Sequence, residues 1–145
     1  MKFAKTKDVK DPQRGTELSA GIDFFVPNTN AAFVLKPNED ALIPSGIKVK
    51  LPKGFALIAF DKSGVATKRK LKVGACVVDE DYQGEIHIHV FNLGSSDVTI
   101  NPGDKLVQFL LLPINYAEPE ECDLNELYES VSERGEGGFG STGIN

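Results

Sequence analysis

The chain has 145 residues, enough for one domain with its own core, and its 41% hydrophobic and 26% charged content is globular rather than disordered. A net charge of −5 argues against general nucleic-acid binding, which needs a broad basic face, so a polyanionic ligand must find a local positive cluster. No apolar run approaches the ~20 residues of a membrane span, and the start MKFAKTKDVKD has no apolar stretch to serve as a signal peptide, so the expectation is no membrane contact and a cytoplasmic place, in the host cell if the protein is viral.

In chain order, short apolar or alternating segments recur between Pro, Gly, Asn and Asp clusters, the pattern of strands. The predicted strands are GIDFFVP (21–27), AFVLK (32–36), DALIP (40–44), GIKVKLP (46–52), FALIAF (55–60), LKVGACVV (71–78), EIHIHVF (85–91), DVTI (97–100) and DKLVQFLLLP (104–113). Turn signals PNTN, KPNED, LPKG, LGSSD and NPGD separate them at the spacing of a compact sandwich or barrel. Helical periodicity is confined to a turn or two near Ala66 to Lys70. The expectation is an all-β, jelly-roll-like β-barrel over residues 1–113.

The basic cluster Lys68, Arg69, Lys70 and Lys72 reads as a solvated turn or strand edge. Cys76 and Cys122 lie far apart without metal-site spacing, and Cys76 reads as a small buried hydrophobe. His87 and His89 share a strand face at i and i+2; with no third ligand evident they read as partly exposed strand histidines. In a three-subunit assembly their six imidazoles could converge near an axis.

After Pro113 the composition turns to Glu, Gly and Ser, marking 114–145 as a C-terminal arm. CDLNELYESV (122–131) could be a short helix or extended, since Leu124, Leu127, Tyr128 and Val131 suit a helix face. The arm ends in RGEGGFGSTG (134–143). Its match to GxGxxG at Gly135, Gly137 and Gly140 is misleading, because a dinucleotide fold needs a strand before it and a helix after it. What remains is backbone N–H able to wrap an anion, a guanidinium fork on Arg134, a flat ring on Phe139, and the hydroxyls of Ser141 and Thr142. That composition suits a lid over a phosphorylated aromatic compound.

The segment GACVVDEDYQGEI (74–86) places Asp79 and Asp81 around Glu80, before Tyr82 and a Gln-Gly turn. A turn there sends the two aspartates different ways, so one carboxylate can face a site while the other braces the turn.

Five segments in order, AGIDF (20–24), DKSGVA (61–66), GACVVDEDYQGEI (74–86), GDKLVQF (103–109) and RGEGGFGSTG (134–143), resemble the deoxyuridine triphosphatase (dUTP pyrophosphatase) family. The family fold is a jelly-roll-like β-barrel. The resemblance implies hydrolysis of dUTP to dUMP and pyrophosphate, limiting uracil in DNA and supplying dUMP, with Asp79 as the general base for a water attacking the α-phosphorus. Lys62 stands at the arginine of the family's usual Pro-Arg-Ser-Gly, keeping the charge and losing the fork. Ser63, Gly64 and Gln108 match contacts to the α- and β-phosphates; Arg134, Ser141 and Thr142, with Gly140, match contacts of the closing arm. Backbone around Cys76 and Val78 would read uracil, Tyr82 would lie against the deoxyribose, and Phe139 would stack on the base. Asp23 and Asp81 would support the site. The resemblance also implies Mg2+ held mainly through the triphosphate and waters, and a homotrimer whose active sites are shared. The alternatives are a dCTP deaminase of the same fold or a nucleotide-controlled regulatory protein.

Overall fold

The computed structural model describes residues 1–75 and 77–138, and short β-strands carry nearly all of their regular structure. These strands are β1 (Lys2–Lys5), β2 (Gln13–Arg14), β3 (Ile22–Phe24), β4 (Phe33–Leu35), β5 (Asp40–Pro44), β6 (Ile47–Lys50), β7 (Phe55–Asp61), β8 (Leu71–Val73), β9 (Val77–Val78), β10 (His87–Asn92), β11 (Val98–Ile100) and β12 (Val107–Pro113). A wide helical turn at Val65–Arg69, where the sequence predicts one, and a single 3-10 turn at Leu124–Glu126 are the other regular elements among the described residues. Four antiparallel sheets result: β2-β3-β12-β7-β9, β5-β10-β8, β1-β6 and β11-β4. Folded around one core, they make the expected jelly-roll-like barrel.

Alternation builds that core. Along β10, Ile88, Val90 and Asn92 are buried while His87, His89 and Phe91 face outward. Strand β12 pairs with β3 and, from Val107↔Asp61 to Pro113↔Phe55, with the whole of β7. The Phe24 and Phe109 rings meet inside at 4.6 Å and 56°. Ile47, Leu57, Ile88, Ile100 and Leu106 are also fully buried, each contributing about 1.5–3 kcal/mol of transfer free energy. The buried Asn92 amide donates to Leu35 O (3.0 Å) and Ser96 O (2.9 Å) and accepts from Gly94 N (2.9 Å), so it fixes the LGSSD turn without an unpaired polar atom.

Two expectations need correction, and one that was left open takes the extended of its two forms. The strand predicted over 71–78 is two strands, because the chain leaves β10 at Gly74, whose N–H binds His89 O (2.9 Å), before pairing with β7 as β9. A Cβ at Gly74 would collide with the His89 and Phe91 rings, so only glycine makes this crossing. β1 and β2, not expected, are fully exposed strands defined by pairing with β6 and β3 rather than by any apolar alternation of their own. The segment 122–131 holds only the Leu124–Glu126 turn, with Leu124, Leu127, Tyr128 and Val131 exposed. Four apolar side chains left this exposed cannot offset the cost of nucleating a longer helix.

The basic cluster is partly structural. Arg69 binds Asp104 (3.0 Å) and Thr99 O (2.5 Å), and Lys72 pairs with Asp61. The chain forms two compact units, Met1–Asn115 and Tyr116–Asn145.

Candidate active site

Adjacent strands bring three of the quoted segments together. Asp23 on β3 lies directly opposite Gln108 on β12, which lies opposite Phe60 on β7, so the three side chains share one face of the sheet. Asp23 is buried, and its carboxylate binds the Lys62 ammonium and, at 3.3 Å, that of Lys105. Gln108 donates to Asp61 O at 2.9 Å. Gly21 is what lets β3 approach so closely, because a Cβ there would collide with the Gln108 side chain. Ser63 and Gly64 are exposed at the start of the Val65–Arg69 turn, where Lys62 O accepts Ala66 N–H (2.8 Å) and Ser63 O accepts the Thr67 hydroxyl (2.7 Å).

Asp61, where the family has proline, clamps β7 to β8. Its Oδ1 accepts Val73 N–H at 2.8 Å and its Oδ2 pairs with Lys72. Burial pushes this carboxyl up, but the Lys72 hydrogen bond, the Val73 N–H and the Lys72 charge together hold it below its ordinary 3.8.

The expected 74–86 hairpin is positioned separately, and its flanking strands pair elsewhere, β9 with β7 and β10 with β5 and β8. Val78 is buried and pairs with Leu57, leaving the following Asp79 exposed. Asp79 O accepts Tyr82 N–H at 3.2 Å, closing the turn. Glu80, not Asp81, braces the turn, accepting Gly54 N–H at 2.7 Å. Tyr82 donates its hydroxyl to Glu85 O at 3.0 Å and is 43% exposed. Asp81 faces a groove of about 500 Å³ between the hairpin tip and β1-β6. Tyr82 lines that groove as well, whereas Asp79, Lys62 and Gln108 do not.

Within one chain the two groups stay apart. Asp79 follows Val78, which lies opposite Leu57, whereas Lys62 comes just past the end of β7, five residues beyond Leu57, about 16 Å at the rise of an extended strand. His87 Nδ1 lies 2.9 Å from Glu85 O, and His89 binds Asp40 and Ala75. No three His, Cys, Asp or Glu side chains converge as a metal site among the described residues. In the second unit Arg134 is exposed and its Nε donates to Gly137 O at 2.8 Å. Cys76, Phe139, Gly140, Ser141 and Thr142 lie outside the described residues.

Sequence reasoning left Lys105, Asp61 and Glu80 without roles. Each sits inside a quoted segment, and the Asp61-Lys62 pair in place of Pro-Arg was the one visible signal.

Barrel, hairpin and lysine cluster together fit one class of enzyme, the jelly-roll nucleotide pyrophosphohydrolases. Within that class the match is particular: the dUTPase family model aligns with residues 7–143, and the chain belongs to the dUTPase family. The deoxyuridine 5'-triphosphate nucleotidohydrolase of Debaryomyces hansenii is 36% identical over 143 residues, 99% of this chain and 86% of that protein. That of Fusobacterium nucleatum is 36% identical over 148 residues, 99% of this chain and 96% of that protein. The dUTPase of Staphylococcus bacteriophage 80alpha, solved with dUpNHpp, superposes with a TM-score of 0.86 at 27% identity, covering 99% of this chain and 98% of that one.

Proposed function

We propose that this chain hydrolyses dUTP to dUMP and pyrophosphate, with Asp79 orienting and deprotonating the water that attacks the α-phosphorus. What carries the reading is family membership over residues 7–143, joined to a hairpin that leaves Asp79 exposed while Glu80 takes the bracing contact. The dCTP deaminase alternative is not favoured.

An in-line displacement with a pyrophosphate leaving group needs positioning and charge neutralisation more than covalent chemistry. Lys62 has three N–H donors; with one held by Asp23, two remain for phosphate oxygens. Ser63, Gly64 and Gln108 complete the α- and β-phosphate contacts, the backbone around Cys76 and Val78 reads uracil, and Tyr82 lies against the sugar. Residues 114–145 form the closing arm: Arg134, Gly140, Ser141 and Thr142 hold the outer phosphates and Phe139 covers the base. Magnesium supplies further neutralisation when bound. In this reading the ion would arrive with the triphosphate and be held mainly through it and waters, as the family resemblance implies.

The separation of Asp79, just past β9, from Lys62, just past the far end of β7, supports sharing between chains. One subunit would supply the hairpin and another the Asp23, Lys62 and Gln108 cluster, as in a homotrimer. A cytoplasmic place, beside deoxynucleotide synthesis, belongs to this reading; no described helix is long and apolar enough to cross a membrane.

Pyrophosphate release measured across the deoxynucleoside triphosphates and UTP tests the activity. Turnover confined to dUTP is expected. Ammonia from dCTP without pyrophosphate would install the deaminase instead.

A further inference from the structure

His89 has no part in the reading above, yet both of its ring nitrogens are committed. Nδ1 accepts the Ala75 N–H at 2.8 Å, and Nε2 lies 3.0 Å from Asp40 Oδ2 on the neighbouring strand β5. The same residue's backbone oxygen takes the Gly74 N–H at 2.9 Å. The ring packs on Phe91 at 4.7 Å between centroids, and its side chain is only 18% exposed. Glycine at position 74 is what gives the imidazole room to reach Ala75.

These contacts fix a protonation state. A neutral imidazole has one donor and one acceptor nitrogen. Accepting from Ala75 requires a bare Nδ1, so Nε2 carries the hydrogen and donates it to Asp40. Among charged groups, Asp40 is the one bonded to the ring. Leu42, opposite His89 on β5, is apolar; Lys72 on β8 lies opposite Phe91 and is paired with Asp61; His87, two residues back, is bonded to Glu85 O.

We propose that the Asp40–His89 pair is a positioning element for nucleobase recognition: by holding the Ala75 N–H it sets where the chain crosses from β8 to β9. The inference rests on the dUTP reading of the hairpin. Its effect is on binding, because Ala75 precedes the base-reading backbone while Asp79 is fixed separately by the Val78 and Glu80 contacts.

The test compares wild type, His89→Leu and His89→Asn by steady-state dUTP kinetics and by amide hydrogen exchange at Ala75. In His89→Leu, Ala75 should exchange faster and KM should rise about tenfold, with kcat within about twofold, as expected for one lost hydrogen bond of recognition. Asparagine offers Oδ1 where Nδ1 stood, so His89→Asn should recover most of the KM and the protection. Unchanged Ala75 exchange in His89→Leu overturns the proposal, as does an equal KM loss in both variants, which would make the ring mere packing. If wild type released no pyrophosphate from dUTP, the activity reading would fail, and exchange at Ala75 alone would decide the anchor.

Discussion

The hairpin and the arm carry the two halves of the proposed site in opposite ways. From Gly74 to Glu85 the hairpin is tied down repeatedly: Gly74 and Ala75 to His89, Val77 and Val78 to β7, Glu80 to Gly54, and Tyr82 to Glu85. In the arm every residue from Tyr116 to Glu136 is exposed, and the hydrogen bonds between Glu118 and Gly138 reach only three residues along the chain. The difference suits the task that the proposed function gives to each. Aiming a water at phosphorus requires a geometry fixed before substrate arrives, whereas gripping phosphates can be assembled on arrival, at the cost of ordering the segment.

The comparison breaks most visibly at Asp79. Asp79→Asn should bind nucleotide normally but lose about 10²–10⁴ in turnover, the usual worth of a general base; near-normal turnover would remove Asp79 from its role. Deleting residues 134–145 should reduce turnover on the order of 10², as loss of preorganised charge contacts does. The same truncation should leave the melting temperature nearly unchanged, because no residue beyond Leu111 contributes to the described core. A truncated chain that fails to fold would make the arm structural.

Smaller effects sharpen the picture on the barrel side. Asp61 has its folded pKa below 3.8, so its clamp stabilises the fold above that value and loses its effect as pH falls through the lowered one. Asp61→Asn should therefore melt about 2–3 °C below wild type at neutral pH, a modest shift because the pair is partly solvated. The gap should close in acid below the ordinary carboxylate value; a gap that persisted there would assign the effect to shape rather than charge. Lys62→Arg is the mildest change: the fork can hold Asp23 and a phosphate together, so activity should stay equal or rise. A clear loss in steady-state turnover would give the lysine a distinct role.

Much of this was legible in the sequence. Nine segments with apolar alternation or turn punctuation became strands, and the DYQG turn marked the hairpin, because each depends on neighbours two to four residues away. β1 escaped notice since KFAK has no buried face of its own; it is a strand only because Lys2 to Lys5 meet Lys50 to Ile47. Glu80 could not be told from Asp81 as the brace, because its partner Gly54 lies 26 residues back.

The order of the five motifs and the alternation of side chains determined the family, the barrel and the candidate residues, since both are properties of local sequence. Only the tertiary structure decided who holds whom: Asp23 with Lys62 and Lys105, Asp61 with Lys72, His89 between Asp40 and Ala75. Those pairings depend on strand register, which brings together residues 11 to 82 positions apart, and on glycines at 21 and 74 whose missing Cβ allows the close approach.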